Sequence, residues 1–305
     1  MSQDIICIVG PTAVGKTRLS VQLAKELDGE IISGDSMQIY RGLDIGTAKA
    51  SFEERQGIPH HLLDEKDPAE SYSVAEFQKT VRLKIQEIQS RGKIPILVGG
   101  TGLYIKSVLY DYEFSEEVRD ALQLRDPYPQ LDNDALHQLL AGLDPVSAEQ
   151  IHPNNRQRTL RAIQAFEQSG IRKSDREKTQ EHKLIYPVKL IGLTDERQRL
   201  YQRIDARVDQ MAREGLVDEV RRLYDAGIPK EAQSVRAIGY KELYDHFDGL
   251  MDLDRALELI KRNSRRYAKR QYTWFKNQMT AQWFEVEVSD FEKTIAAVIS
   301  WLKVK

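Results

Sequence analysis

A glycine-rich segment near the start of the chain has the pattern of a loop that binds phosphate groups. The pattern G-x-x-x-x-G-K-[ST] is matched by Gly10, Pro11, Thr12, Ala13, Val14, Gly15, Lys16 and Thr17. The segment follows an apolar run and precedes a helical pattern, which is the context that such a loop requires. Its backbone N–H groups bind phosphate oxygens, Lys16 adds a positive charge, and the Thr17 hydroxyl is a ligand for Mg²⁺. The segment therefore predicts a diphosphate or triphosphate site.

The acid that usually helps such a loop to hold its metal is missing from its usual place. An apolar strand ending in Asp is typical, but the apolar run at 94–98 continues into a Gly-Gly-Thr-Gly segment that contains Thr101. The carboxylate in the nearest comparable position is that of Asp35, which follows the apolar residues Ile31 and Ile32. From the residues alone, Asp35 has two open roles: to cap the turn after the strand or to assist Mg²⁺.

A concentration of positive charge lies further along the chain. Residues 255–276 include eight basic residues and one acid, a local charge of +7 in a chain whose net charge is −2. On a helix, Arg262, Arg266 and Arg270 recur every four residues and share one face. Such a stripe can follow a phosphate backbone, whereas a solvated face normally mixes both signs of charge. We therefore predict RNA contact here, and we expect the aromatic residues of the same stretch in the core: Tyr267, Tyr272, Trp274 and Phe275.

A smaller group of arginines occurs in the middle of the chain. It has no acidic neighbour in sequence before Glu167, and it consists of Arg156, Arg158 and Arg161. These residues open a helical pattern for which Asn154 or Asn155 is the expected cap. The segment 236–241 is a further candidate for contact with an anionic partner.

The elements that must position these residues alternate along the chain. Short apolar runs alternate with helical patterns, which predicts an α/β fold with a parallel sheet and covering helices. The predicted strands are 5–10, 30–33, 94–99, 188–193 and 283–288, and the predicted helices are 16–27, 74–90, 200–226, 253–278 and 291–302. No convincing strand occurs in 113–186. We therefore predict a core formed by 1–112 and 187–305 with a helical insertion at 113–186.

Composition narrows the class of protein. Apolar residues make up 41% and charged residues 30% of the 305, which predicts a soluble globular protein. The single cysteine, Cys7, lies in an apolar run and is expected to be buried and inert. One cysteine cannot form a disulfide within the chain, and no Cys/His spacing typical of zinc is present. A reducing cytosol fits both observations. The first apolar run is too short for a signal peptide or a membrane span. We expect a cytoplasmic monomer that does not bind a membrane.

Together, these segments resemble the tRNA dimethylallyltransferase (tRNA isopentenyltransferase) family. The phosphate loop is followed by D-S-M-Q-I-Y-R at 35–41 and L-D-I-G-T-A-K at 43–49, a combination that is highly specific. The resemblance continues, in the family's order, through 59–64, 72–77, 98–104, 151–154, 237–241 and 267–271. Eukaryotic members carry a zinc finger after this region, and the sequence has none, so it resembles the bacterial form.

The resemblance implies a core of the P-loop NTPase type, related to nucleotide kinases, that binds dimethylallyl diphosphate where a kinase binds ATP. The acceptor would be the exocyclic N6 amine of the tRNA adenosine at position 37, next to the anticodon. This amine is a poor nucleophile and needs a base, a role that the resemblance gives to Asp35. It also implies that Thr101 orients the reacting groups, that Arg119 binds the diphosphate, and that Mg²⁺ is required.

Contacts with tRNA are implied for two further segments. The first lies beside the phosphate loop and comprises Asp35, Ser36, Met37 and Gln38, with Thr101 and Arg119 nearby. The amide of Gln38 would read a purine edge, although a glutamine on a helix surface is the ordinary alternative. The second lies in the insertion, which would grip the anticodon stem-loop, and comprises Gln157, Arg158, Thr159, Leu160 and Arg161.

Two other functions fit part of the sequence. A kinase that uses ATP explains the phosphate loop but leaves the basic stretch at 255–276 without a purpose. A non-catalytic RNA-binding protein with a nucleotide switch would keep its RNA affinity without Asp35. His60 and His61 fit structural hydrogen bonding as well as ligand binding.

Overall fold

A computed structural model describes residues 4–112, 114, 126–179 and 183–303. The chain divides into two compact units. Unit 1 consists of the chain up to Leu109 and from Tyr186 onward, and unit 2 of Tyr110–Ile185.

Unit 1 is built on one sheet of six parallel strands, which confirms the predicted α/β class. The strands are β1 (Ile5–Val9), β2 (Gly29–Ser33), β3 (His60–His61), β4 (Ile94–Gly99), β5 (Val188–Thr194) and β6 (Gln282–Glu285). Their order is β3-β2-β4-β1-β5-β6. In the register, Ile6 pairs with Ile96 of β4 and with Lys189 of β5. Because β1 lies between β4 and β5, the winding changes direction beside it, and the loops after these strands open a crevice at their carboxyl ends.

The helices of unit 1 cover this sheet. They are α1 (Lys16–Leu27), α2 (Phe52–Arg55), α3 (Val74–Ser90), α4 (Gly102–Leu109), α9 (Arg197–Arg213), α10 (Leu216–Asp225), α11 (Tyr240–Phe247), α12 (Leu253–Gln278) and α13 (Phe291–Lys303). All five residues of β1 are buried, including Cys7, as expected for a central strand covered on both faces. One core cluster joins β1, β4 and β5 to α1, α9 and α13, and so fixes the loops at the crevice.

The sequence-based prediction failed where one helix became two. The predicted helix 200–226 is interrupted between α9 and α10, because Gly215 adopts a left-handed conformation with φ 103°. The prediction also missed the short strand β3 and the helices α2, α4 and α11. These elements are two to eight residues long, shorter than the window over which a periodic pattern can be recognised.

Unit 2 is helical and has its own core. Its helices are α5 (Asn133–Leu143), α6 (Pro145–Gln150), α7 (Arg156–Ser169) and α8 (Lys173–Thr179). Leu136, Leu140 and Ile163 are fully buried at the centre of the cluster. A single antiparallel bridge joins Tyr110 to Leu184 at the ends of the unit. Asn155 caps α7 by accepting a hydrogen bond from the N–H of Arg158, which resolves the choice between the two predicted caps.

Within the described parts of the chain, no helix combines the length and the apolar character needed to cross a membrane.

Candidate functional site

The phosphate loop lies between β1 and α1, as predicted. Gly15 has a φ of 98°, and a Cβ atom there would lie 2.6 Å from the ring of Phe291, so only glycine fits this position. Gly15 is also the N-cap of α1 and offers no side-chain cap, so the first N–H groups of the helix remain available to an anion. The side chain of Val14 is buried, so Val14 would contact a bound phosphate only through its backbone.

Lys16 lies at the base of this loop. Its ammonium group donates hydrogen bonds to the carbonyl oxygens of Gly10 at 3.0 Å and Pro11 at 2.8 Å. Burial lowers the pKa of Lys16 to about 8; the nearby Asp35 carboxylate opposes this shift and the Arg207 charge adds to it. An anion bound in the loop would stabilise the protonated form of Lys16. Lys16 is therefore suited to bind a diphosphate as an ammonium ion.

Asp35 follows β2 and fills the first of the two roles that the sequence left open, the cap of the turn. Its Oδ1 accepts a hydrogen bond from the N–H of Met37 at 2.8 Å, so it caps the turn after the strand. The side chain also borders the crevice beside Lys16. Burial raises the pKa of Asp35, against the opposing effects of the Met37 N–H and the Lys16 charge. A carboxylate with a raised pKa is a stronger base than an exposed aspartate.

Thr101 follows β4 and faces the same turn. Its hydroxyl oxygen accepts a hydrogen bond from the Ser36 N–H at 3.4 Å and lies 3.5 Å from the Ser36 hydroxyl oxygen. The phenol of Tyr267, from α12, lies beside this pair. Burial and then the Asp35 charge raise the pKa of Tyr267 to about 12, while the side chains of Thr101 and Gln271 oppose that rise. Asp35, Ser36 and Thr101 thus lie together, as the sequence predicted.

Gln38 occupies a different environment from either of those expected. It is half-buried in a turn and not on a helix surface. Its Oε1 accepts a hydrogen bond from the Ser33 hydroxyl at 2.9 Å. Its Nε2 donates to the carbonyl oxygens of Thr47 at 3.2 Å and Ala48 at 3.4 Å. Reading a purine edge would require this amide to give up one of these bonds, so the geometry assigns Gln38 to holding the turn.

Two cavities open at this crevice, and both lie within unit 1. The large cavity, of about 1150 Å³, is bordered by the phosphate loop from Thr12 to Thr17 and by Asp35. The small cavity, of about 360 Å³, is bordered by Asp35, Ser36 and Met37. Residues that border both cavities are Thr12, Ala13, Asp35, Thr47, Ala48, Arg207, Met211 and Tyr267. A molecule at the phosphate loop and a second one in the small cavity would therefore meet at Asp35.

Arg207 is a candidate site residue that the sequence analysis missed. It projects from α9, borders both cavities and makes no ion pair with any residue in the described parts of the chain. Burial lowers the pKa of its guanidinium, yet an arginine stays protonated. A half-buried cation beside a phosphate loop, with no ion pair to the described residues, is suited to bind an anion. The sequence signal for Arg207 was its position in the helical pattern of α9. It lies three residues after Ile204 and directly before Val208, and both of these residues are buried.

The helix α12 carries the basic stripe formed by Arg262, Arg266 and Arg270. All three side chains are exposed, and none pairs with an acid among the described residues. Two other bases of the helix are paired with α9: Lys261 with Asp209 at 2.7 Å, and Arg265 with Asp205. The charge of α12 is therefore partly balanced on its inner side and unbalanced on the stripe. Arg270 also borders the small cavity, together with Arg236 and Lys241.

The aromatic residues of α12 differ in position. Phe275 is fully buried, as expected. Tyr267 borders both cavities, which corrects the expectation that it belongs to the core. Tyr272 and Trp274 are half-buried.

The arginines of unit 2 differ in their surroundings within α7. Arg156 pairs with Asp126 at 2.7 Å and donates to the carbonyl oxygens of Leu131 and Tyr128, so it is structural. Asp126, which is distant from Arg156 in the sequence, is therefore close to it in space. Gln157, Arg158 and Arg161 are exposed, whereas the side chains of Thr159 and Leu160 are buried in the core of the unit. Side-chain contacts with RNA from this segment would therefore fall to the exposed three.

Arg119 lies outside the residues that the structure describes, and its role at the diphosphate stays a prediction. His61 bonds to Glu30 at 2.7 Å and His60 to the carbonyl oxygen of Ile58 at 2.9 Å, so both histidines are structural. In the described ranges, no group of three or more His, Cys, Asp or Glu side chains is arranged to hold a metal ion.

Known proteins are similar to this chain over its full length. Residues 38–278 match the family model described as IPP transferase. A protein of Anoxybacillus flavithermus named tRNA dimethylallyltransferase is 53% identical over 306 residues, which covers 100% of this chain and 98% of that protein.

Solved structures agree with this match. The crystal structure of a tRNA isopentenylpyrophosphate transferase from Staphylococcus epidermidis is 43% identical, with a TM-score of 0.74, and the match covers 99% of this chain and 100% of that one. A eukaryotic dimethylallyltransferase captured acting on tRNA is 30% identical, with a TM-score of 0.82 over 99% of this chain and 80% of that one. The chain belongs to the IPP transferase family, whose relatives are tRNA dimethylallyltransferases with a P-loop NTPase-like fold.

Proposed function

We propose that this protein is a tRNA dimethylallyltransferase. It transfers the dimethylallyl group of dimethylallyl diphosphate to the exocyclic N6 amine of adenosine 37 in tRNA and releases diphosphate. The observation that carries the proposal is the juxtaposition of a phosphate loop with Asp35, at the boundary of the two cavities. The names and full-length similarity of the relatives support the same activity.

In the acceptor half of the reaction, the adenine must leave the stacked RNA to reach an enclosed donor. The small cavity would receive it against Ser36, Met37 and Tyr267. As the bond between N6 and the allylic carbon forms, Asp35 accepts a proton from the amine. The raised pKa of Asp35 favours this step, and the hydroxyl of Thr101 orients the amine.

In the donor half, the bond between the allylic carbon and the diphosphate oxygen breaks, and the electron pair leaves with the diphosphate. Charge therefore builds on the leaving group while positive charge develops on carbon. The loop N–H groups, Lys16 and Arg207 are fixed where they would neutralise that charge. Arg119 is the further residue that the family resemblance assigns to this task.

The residues at the loop fit a magnesium ion that is shared with the substrate. Mg²⁺ in phosphate sites takes one or two protein oxygens and completes its shell with phosphate oxygens and water. Thr17 borders the same cavity as Lys16 and offers one such oxygen. A bound Mg²⁺ would supply additional positive charge to the diphosphate.

The RNA itself would be held by two basic surfaces. The stripe of α12 and the exposed Gln157, Arg158 and Arg161 of unit 2 would contact the phosphate backbone of the anticodon stem-loop. We place the activity in the cytosol, where tRNA is modified, and we propose a monomer as the working form.

Mass spectrometry of nucleosides tests the proposal. Unmodified tRNA is incubated with the protein, Mg²⁺ and dimethylallyl diphosphate, then digested. We expect one dimethylallyl group on the adenosine next to the anticodon. An unmodified digest from folded protein would overturn the assignment, and a phosphorylated product that appears only with ATP would favour the kinase.

A further inference from the structure

Two glycines beside Thr101 are required by their contact with α12. A Cβ atom on Gly100 would lie 2.1 Å from Nε2 of Gln271, and one on Gly102 would lie 2.2 Å from the ring of Trp274. Contacts that short do not occur between real atoms. Both glycines therefore allow α12 to lie directly against the loop after β4, and Thr101 is held between the two points of contact.

Gln271 bonds to two loops at once. Its Oε1 accepts a hydrogen bond from the N–H of Thr12, in the phosphate loop, at 2.9 Å. Its Nε2 donates to the carbonyl oxygen of Gly100 at 3.0 Å. The side chain is only 5% exposed, so water cannot readily replace either bond. One amide therefore connects the loop that would hold the donor to the loop that carries Thr101.

The Thr12 N–H is thereby withdrawn from phosphate binding. In a phosphate loop, backbone N–H groups usually converge on the anion, whereas this one is committed to the amide of Gln271. The hydrogen bond between Thr12 and Gln271 instead fixes the distance between the phosphate loop and the loop that carries Thr101. Reaction rates depend steeply on such distances, because the nucleophile and the allylic carbon must meet within a few tenths of an ångström of the productive geometry.

We propose that Gln271 is a positioning residue for the transfer reaction. It sets the phosphate loop and the Thr101 loop in register, and so sets the donor relative to the amine of the acceptor. The inference rests on the proposed function, and it goes further by giving the inner face of α12 a part in the chemical step. Gln271 borders the large cavity, and its amide is committed to Thr12 and Gly100, through which it acts.

Gln271→Met tests this role, because methionine fills a similar volume and makes neither hydrogen bond. The single-turnover rate at saturating donor and tRNA should fall by roughly 10²-fold. The KM for tRNA should stay the same, since the basic stripe is untouched. The matched control is Asn263→Leu, which removes a half-buried amide from α12 that bonds to Glu242 at 2.7 Å and to neither loop. It should keep the wild-type rate.

A second variant approaches the same contact from the opposite side. Gly100→Ala would displace the amide of Gln271 without changing α12, and it should slow transfer to a similar extent. In the double variant Gln271→Ala with Gly100→Ala, the shortened side chain leaves room for the new methyl group. The reductions in rate measured for Gln271→Ala alone and for Gly100→Ala alone should therefore not add in the double variant. Additive reductions would show that the residues act separately and would contradict the proposal.

The outcomes separate this inference from the function on which it rests. Wild-type protein that transfers no group refutes the proposed function. Active wild-type protein with an equally fast Gln271→Met variant refutes the positioning role. Calorimetry with inorganic diphosphate, in the absence of RNA, gives a readout that does not depend on transfer: Gln271→Met should bind diphosphate more weakly, because the phosphate loop loses an anchor. A Gln271→Met variant that transfers slowly and also has a Tm well below that of Asn263→Leu would show that Gln271 is a purely structural residue. That result would contradict the positioning role.

Discussion

At the scale of single residues, the site depends on two groups whose ionisation burial shifts in opposite directions. Burial raises the pKa of Asp35 and lowers that of Lys16 to about 8. Each charge stabilises the other, so the two shifts are smaller than burial alone would produce. The proposed mechanism needs Asp35 as a carboxylate and Lys16 as an ammonium ion, and both forms coexist only between the two pKa values.

This pairing predicts a bell-shaped pH profile for kcat/KM of the donor. As pH falls through the raised pKa of Asp35, the base becomes protonated and the rate falls. As pH rises through about 8, Lys16 loses its proton and donor capture weakens. Rates measured across the pH range at low donor concentration check this.

One variant identifies the group that causes the fall in kcat/KM at high pH, the alkaline limb of the profile. In Lys16→Arg, the guanidinium stays protonated throughout the accessible range, so the residual activity should lack the limb near pH 8. An alkaline limb with the same midpoint in this variant would show that another group is responsible. In kcat, measured at saturating donor, the wild-type limb should move to higher pH, because the bound diphosphate stabilises the ammonium form of Lys16.

The role of Asp35 as base is tested by removing its carboxylate. Asp35→Ala should lower the single-turnover rate by roughly 10²–10⁴-fold, the usual contribution of a general base. Affinity for tRNA should change little, because the basic surfaces remain. A gel-shift assay on the same samples provides that control, and a variant that keeps most of its rate would remove Asp35 from the mechanism.

At the scale of elements, α12 has two faces with different functions. Its inner face bears Tyr267 and Gln271 against the site, and it is fixed to α9 by the ion pairs of Lys261 and Arg265. Its outer face bears the stripe of Arg262, Arg266 and Arg270. A helix with a row of unpaired like charges gains stability from an anionic partner, which is why the stripe points to RNA.

The double variant Arg266→Ala with Arg270→Ala tests the stripe. Affinity for tRNA should fall for all substrate sequences. The slope of log affinity against log salt should shrink by about one unit for each arginine–phosphate interaction that the substitutions remove. Donor affinity should change little. Fluorescence anisotropy at several salt concentrations measures the slope.

Arg265→Ala is the matched control for this experiment. It removes one positive charge from the same helix, but from a side chain that is already paired with Asp205. We expect the salt slope to remain at its wild-type value. If the control and the double variant give the same unchanged slope, with circular dichroism confirming the fold, the stripe is a solvated surface and unit 2 is the main RNA-binding surface.

Most elements could be predicted from the sequence where their pattern is long or bounded by a strong signal. The helices α1, α3 and α12 have the predicted bounds because a glycine loop, Ser73 and Asp252 mark their starts. The break at Gly215 was missed because an apolar pattern continues through it. The pairing of Arg156 with Asp126 was missed because it joins residues 30 positions apart, and no local signal reports such a pairing.

At the scale of the whole molecule, the site is a product of sheet topology. The phosphate loop, Asp35 and Thr101 follow β1, β2 and β4, which are neighbours in the sheet although the chain visits them far apart. The sequence motifs could predict that each residue matters. They did not assign Arg207 or Gln271 to the site, although Gln271 lies in the family-like segment 267–271, because only the packing of α9 and α12 brings these residues to the crevice.

The shared use of the loop by donor and metal predicts that three different changes have the same effect. Lys16→Ala, Thr17→Ala and removal of Mg²⁺ with EDTA should each weaken use of dimethylallyl diphosphate, because all three remove positive charge or a metal ligand from one diphosphate. Steady-state rates over a range of donor concentrations measure the effect, and added Mg²⁺ should restore the EDTA-treated sample. Undiminished activity in EDTA would exclude the metal from the reaction.

The coupled use of dimethylallyl diphosphate and tRNA, without ATP, is the central claim, and the stoichiometry of turnover tests it most directly. The protein is incubated with unmodified tRNA, Mg²⁺ and dimethylallyl diphosphate, without any ATP, and both the released diphosphate and the modified adenosine are quantified over time. We predict that one diphosphate is released for each adenosine modified, and that adding ATP does not accelerate either. Turnover that requires ATP, or diphosphate release without modification of tRNA, would contradict the account.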